Sequence, residues 1–125
     1  HSDADVLIHA LMDALLGAAN LGDIGMLFPD SDMSYKDVDS CLLLNRVVGR
    51  IKEQSFTIIN CDITVICEQP KISPYRQNMV QRIASVLGID AANVSVKATT
   101  TEGLGFTGRK EGIAVQAVCL LYRFE

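Results

Sequence analysis

The chain has 125 residues, 49% of them hydrophobic, and a formal net charge of −4 at neutral pH. That length supports one domain with a real core, and the acidic balance argues against non-specific nucleic-acid binding through a basic patch. No apolar run reaches membrane-spanning length, and the cysteines Cys41, Cys61, Cys67 and Cys119 form no C-x-x-C pair, which reads as free, reduced, buried thiols.

In chain order, Ser2 can cap a helix with Asp5 three residues on. The helix runs to Asn20 or Gly22, residues that stop helices. Val6, Leu7, Ile8, Leu11, Met12, Leu15 and Leu16 wrap most of its circumference, so burial is expected. One stripe is polar: Asp5, His9 and Asp13, spaced i, i+4, i+8. Two readings of His9 stay open, a core histidine held by a neighbouring carboxylate and a metal-binding imidazole oriented by one. Leu21 to Asp32 carries three aspartates, two glycines and a proline and reads as a loop. Its Met26, Leu27 and Phe28 suit either a wall over a ligand or a loop pinned to the core by Phe28.

Asp37 to Gln54 reads as a second helix with Val38, Cys41, Leu44, Val48 and Ile51 as its apolar stripe. Thr57 to Cys67 alternates as a strand, with Ile59, Cys61, Ile63, Val65 and Cys67 on one face and Asn60, Asp62 and Thr64 on the other. Ser73 then caps a third helix with Pro74 at its first position. Tyr75, Met79, Ile83, Val86 and Leu87 form its buried stripe, and Gly88 ends it. Lys71 sits beside that helix start, a usual place for a binding loop.

Val94 to Ala98 reads as another strand. The stretch from Thr99 to Arg109 is then a long loop before a last strand, Gly112 to Tyr122. Its chemistry suits an anion: threonine hydroxyls donate, glycine backbones approach closely, and Arg109 can fork onto a phosphate. Glu102 would repel that anion unless a hard cation sat between them. In the last strand Ile113, Val115, Ala117, Cys119 and Leu121 share one face, while Ala114, Val118, Leu120 and Tyr122 share the other with Gln116. Both faces want burial. Helices cover one, and the second is expected to meet another subunit.

Four segments together, HSDADVLIHALMDALLGAANLGDIG, LFPDSD, the EQPKI turn and KATTTEGLGFTGR, resemble the 2-C-methyl-D-erythritol 2,4-cyclodiphosphate synthases. These are zinc-dependent lyases of the non-mevalonate route to isoprenoids. The resemblance runs in order from His1 to Tyr122, and its H-S-D-x-D-x-x-x-H opening and T-T-T-E-x-L-G-F-T-G-R loop are both specific. It implies cyclisation of 4-diphosphocytidyl-2-C-methyl-D-erythritol 2-phosphate: the substrate's own 2-phosphate attacks its β-phosphate, and CMP leaves. The nucleophile then belongs to the substrate, so the protein needs only to hold two phosphates in line and stabilise charge.

The resemblance also implies residue roles. His9 is a zinc ligand, with zinc acting as Lewis acid, and Glu102 is a ligand of a second ion, magnesium or manganese. His1 and Thr100 are the catalytic pair that steadies the transition state, and Ser2 lies beside them on substrate phosphate. Asp23, Ile24 and Gly25 form the ribose-binding turn, while Phe28, Pro29, Asp30, Ser31 and Asp32 cover the methylerythritol part. Cys67, Glu68, Gln69, Pro70, Lys71, Ile72 and Ser73 form the cytosine pocket. Thr99, Thr100, Thr101, Glu102, Phe106 and Arg109 form the phosphate loop and its supports, and Asp5 and Asp13 stand behind His9.

The implied fold is α+β: a single two-layer domain, residues 1–125, with helices on one face of a mixed sheet. The sheets face inward in a homotrimer whose active sites lie between subunits, in bacterial cytoplasm or a plastid-type organelle, with no nucleic-acid or membrane partner. The family's other two zinc ligands are an Asp-x-His pair on an N-terminal strand. This chain holds only His1 and His9, so the resemblance implies a few tens of residues ahead of His1. Two competing readings keep the scaffold: a non-catalytic trimeric small-molecule binder that needs no metal, and a nucleotide-binding module that uses only the EQPKI and Asp23–Gly25 regions.

Overall fold

The computed structural model describes residues 3–29, 39–68 and 74–124. In chain order the elements are α1 (Asp3–Ala18), one-turn α2 (Ile24–Leu27), α3 (Ser40–Glu53), β1 (Phe56–Ile66), α4 (Arg76–Leu87), β2 (Val94–Thr99), one-turn α5 (Gly105–Gly108) and β3 (Ala114–Arg123). Strand β1 is central: β2 pairs parallel to it on one side and β3 antiparallel on the other, giving a mixed sheet in the order β2-β1-β3. Parallel neighbours need a crossover, which α4 supplies. The expected α+β domain with helices over one face of a mixed sheet is therefore present.

The core lies between that sheet face and the helices. Ile58, Cys61, Ile63 and Val65 of β1 and Val94 and Val96 of β2 point into it. Leu7, Leu11, Met12 and Leu15 of α1, Leu44, Val47 and Ile51 of α3, and Ile83 and Leu87 of α4 meet them in one cluster. Burial pushes the Cys61 thiol up to about 11, and the charge of Cys119 and then Asp62 adds to it. All four cysteines are free, but only Cys61 and Cys67 are buried, whereas Cys41 and Cys119 are half-buried.

Several boundaries and faces depart from the sequence pattern. Ile59 is not on the core face: a register shift between Ile58 and Asn60 leaves it as an extra residue, so Ile58 turns in and Ile59 is 39% exposed. One added residue at a bulge reverses the alternation on one side of it. Helix α4 starts at Arg76, not at the Ser73–Pro74 pair, and Tyr75 precedes it as an exposed cap without a side-chain hydrogen bond. Its buried face is Val80, Ile83, Ala84 and Leu87, the i, i+3, i+4, i+7 set, so Met79 and Val86 are only flanking. Gly88 ends the helix in the left-handed conformation, φ 72°, as expected. In α3 the buried set includes Leu43 and Val47 beside Leu44, Val48 and Ile51, while Cys41 is half-buried and Val38 lies outside the described residues. On α1, Val6 is 41% exposed, so the apolar surface is narrower than the sequence suggests.

The outward sheet face is divided. Val118, Leu120 and Tyr122 of β3 stand 55–64% exposed on it, with Ile59 and Phe124 also exposed. Nearer the C-terminal end of β1 the face is polar, and Lys97 Nζ donates to Asp62 Oδ2 at 2.6 Å. That hydrogen bond is the main cause holding the Asp62 carboxyl below its ordinary value. The ion pair therefore stabilises the fold above the ordinary carboxylate value, about 4, and its contribution disappears as the pH falls below that value through the lower folded one. Both side chains are over a third exposed, so the effect is small. Lys97→Met should lower the melting temperature slightly at pH 6, and thermal scans should show the gap to the unaltered protein closing by about pH 2.

Candidate functional site

Two groups of predicted site residues emerge, one at an end of the sheet and one on α1 and α2. In the register, Ile66 lies opposite Thr99 on one side and Ala114 on the other. The segment from Thr100 to Ile113 must therefore arch over the carboxyl end of β1, a preferred ligand position in open sheets. Cys67 N–H donates to Thr99 O at 3.0 Å, which extends the ladder to the root of the arch.

The arch is the expected long loop with one helical turn in it, α5, around which it closes on itself. Thr101 Oγ1 donates to Leu104 O at 2.6 Å. Its proton being committed there, the 3.0 Å contact with the buried Thr107 hydroxyl has Thr107 as donor. Thr101 thus braces the loop from within. A Cβ on Gly108 would fall on the carbonyl carbon of Gly103 and 2.6 Å from its oxygen, so the two backbones touch. Thr100 differs: its Oγ1 accepts the Glu102 N–H at 3.2 Å, which leaves its own proton free to donate outward. Glu102 is exposed with φ 54°, a conformation that costs a non-glycine residue about 1 kcal/mol or more. Arg109 Nη2 pairs with Glu111 Oε1 at 3.1 Å, so any anion it takes competes with that carboxylate. The Phe106 ring lies against Gly112, half exposed. Beside the arch, Glu68 Oε2 is buried with no hydrogen-bond partner among the described residues.

The second group sits at the end of α1. Asn20 (φ 58°) and Gly22 (φ 91°) turn the chain, and Asp23 caps α2 by accepting the Met26 N–H at 2.9 Å. The expected loop from Leu21 to Asp32 therefore contains a helical turn. Gly25 lets the turn close, since a Cβ there would lie 3.3 Å from the Asp23 carboxylate. Ile24, Leu27 and Phe28 pack against the core, which supports the pinned-loop reading, while Met26 is 71% exposed. His9 is exposed, so the core-histidine reading is overturned. The carboxylates on either side of it have other work: Asp5 accepts from Ser40 Oγ at 2.7 Å and Asp13 accepts the Ile24 N–H at 2.9 Å. Long-range bonds of this kind leave no local signal in the sequence, and neither does the brace between Thr101 and Thr107.

Helix α1 packs over β3, the strand on which the arch comes down, and the arch rises from β2 at the other edge of the sheet. Among the described residues, no set of three His, Cys, Asp or Glu side chains is placed to hold a metal ion. His9 and Glu102 are single candidate ligands, and the described residues do not complete a metal site. A cavity of about 380 Å³ opens elsewhere, between α1, α3 and α4, and among the described residues Asp5 is the only predicted site residue that lines it. His1, Ser2, Asp30, Ser31, Asp32, Gln69, Pro70, Lys71, Ile72 and Ser73 lie outside the described residues.

The site region thus offers an outward hydroxyl and an exposed carboxylate on the arch and a carboxylate-capped turn after α1, all on an α+β scaffold. The YgbB family profile matches residues 1–122, and the chain belongs to that family. It is 59% identical over 122 residues to the 2-C-methyl-D-erythritol 2,4-cyclodiphosphate synthase of Clostridium kluyveri, a match covering 98% of this chain and 74% of that protein. The bifunctional IspDF of Campylobacter jejuni superposes with a TM-score of 0.91 at 50% identity, over all of this chain and 34% of that one. The IspF–CDP complex of Plasmodium falciparum does so with a TM-score of 0.84 at 38% identity, over all of this chain and 75% of that one.

Because the two backbones of the arch touch, Gly108→Ala should lower stability by roughly 1–3 kcal/mol, read as a reduced urea midpoint, whereas Gly103→Ala should do so only through its positive φ.

Proposed function

We propose that this chain converts 4-diphosphocytidyl-2-C-methyl-D-erythritol 2-phosphate to 2-C-methyl-D-erythritol 2,4-cyclodiphosphate and CMP. The observation that carries the reading is the Thr100 hydroxyl, whose oxygen is satisfied by the Glu102 amide and whose proton is free to meet a phosphate oxygen. The identity to named synthases supports it and disfavours a non-catalytic binder, while the CDP-bound relative supports a cytidine nucleotide at the site.

In this reading Thr99, Thr100, Glu102, Phe106 and Arg109 form the phosphate loop, with Thr101 as its brace. His1, Ser2 and Thr100 contact the reacting phosphates. Asp23, Ile24 and Gly25 take the ribose, since Asp23 Oδ1 caps Met26 and its other oxygen can accept from sugar hydroxyls. Phe28, Pro29, Asp30, Ser31 and Asp32 cover the methylerythritol part. Cys67 to Ser73 take the cytosine, whose amino group is a donor of the kind the buried Glu68 oxygen lacks. His9 is offered to zinc and Glu102 to a magnesium-like ion, with the remaining donors outside the described residues. Zinc would supply Lewis-acid character at the attacked phosphate.

In this reading the site is assembled from neighbouring copies of the chain. The exposed row Val118, Leu120 and Tyr122 is the surface such copies would share in a homotrimer. No helix among the described residues is long and apolar enough to cross a membrane.

Two measurements test the reading. Thr100→Ala should reduce CMP release by about 10²–10³-fold, as loss of one preorganised donor does, with CDP still bound; turnover at the unaltered rate would overturn the role. Val118→Lys should shift the sedimentation of the protein to that of a single chain, and an unchanged oligomer would remove β3 from the interface.

A further inference from the structure

The bond from the Ile24 amide to Asp13 Oδ1 spans eleven residues and ties the α2 turn to the helix that carries His9. The fold does not need it to form either element. Helix α1 ends through Asn20, with Leu21 N–H donating to Leu16 O at 2.8 Å, and α2 has its own cap in Asp23. Between them run two left-handed residues, Asn20 and Gly22, which turn the chain, and among the described residues no backbone–backbone hydrogen bond runs from α2 back to α1. Asp13 and Asp23 are both exposed, so the bond fixes geometry at a surface and does not fill a core.

Resting on the reading of Asp23, Ile24 and Gly25 as the ribose turn, we infer that Asp13 is a positioning residue for nucleotide recognition. It holds the Ile24 amide, and through it the capped Asp23 carboxylate, in register with His9 one helical turn away on the same stripe. A charged acceptor on a backbone N–H is among the stronger hydrogen bonds, and here it acts across the one joint between the two elements that lacks regular structure. Without it the turn still forms and Ile24, Leu27 and Phe28 still hold it to the core, but the bearing of Asp23 relative to α1 loosens.

The test compares CDP with 2′,3′-dideoxy-CDP on the purified oligomer by titration calorimetry. The unaltered protein should prefer CDP by roughly tenfold, as expected for hydrogen bonds to a carboxylate. Asp23→Ala should abolish the preference, which checks the ribose reading on its own. Asp13→Ala should bring the preference close to unity while leaving the dideoxy affinity within about twofold, and Asp13→Asn, which keeps a carbonyl acceptor, should restore it. Asp13→Ser, too short to reach the Ile24 amide, should match Asp13→Ala and stands in for it if the alanine variant does not fold. A full preference in Asp13→Ala and Asp13→Ser, with Asp23→Ala lacking one, overturns the inference and leaves the ribose reading intact. An equal loss for both ligands in the Asp13 variants also overturns it, because that marks a general structural role. No preference in the unaltered protein overturns the ribose reading and the inference with it.

Discussion

The constraint on which the rest depends is the position of Ile66 in the ladder, flanked by Thr99 of one neighbour and Ala114 of the other. It fixes both feet of the arch within the width of three strands. Everything from Thr100 to Ile113 must then be accommodated over the end of β1, and the self-contacts of the arch result. Thr107 supports Thr101, Thr101 supports Leu104, and Gly108 gives way to Gly103. Once those contacts are made, Thr100 and Glu102 have little freedom left and face outward. A register slip of one residue in β1 would turn its core face outward and move one foot of the arch.

Much of this was legible in the residues. Period-two alternation located β1 and β3, and in β3 it also separated Val118, Leu120 and Tyr122 from the half-buried Val115, Ala117 and Cys119. Gly88 and Asn20 marked helix ends because left-handed backbone is a local property. The illegible features depend on partners far along the chain. The bulge at Ile59 exists because β1 must match β3, and no pattern within β1 shows it. Helix α4 begins at Arg76 with Tyr75 as its cap, two residues past the Pro74 that the local Ser-Pro signal marked.

The site was legible as chemistry more than as geometry. Threonines, glycines, Glu102 and Arg109 within one loop already suggested an anion. Composition could not say which hydroxyl is turned inward, since Thr100 and Thr101 are the same residue in adjacent positions. Nor could it show that Arg109 already has Glu111 for a partner, or that Asp13 serves a backbone amide and not His9. Each of these distinctions is a matter of which donor or acceptor remains unclaimed after folding, a count that needs coordinates.

The divided outer face of the sheet bears on how the protein is made as well as on how it ends up. A freshly folded chain shows Val118, Leu120 and Tyr122 to every other polypeptide in its surroundings, and a flat row of that kind is a template for unwanted adhesion. The charged pair Asp62 and Lys97 lies on the same surface and makes burial against an arbitrary greasy partner costly. Such a surface penalises indiscriminate sticking and rewards a partner that matches both its dry and its wet halves.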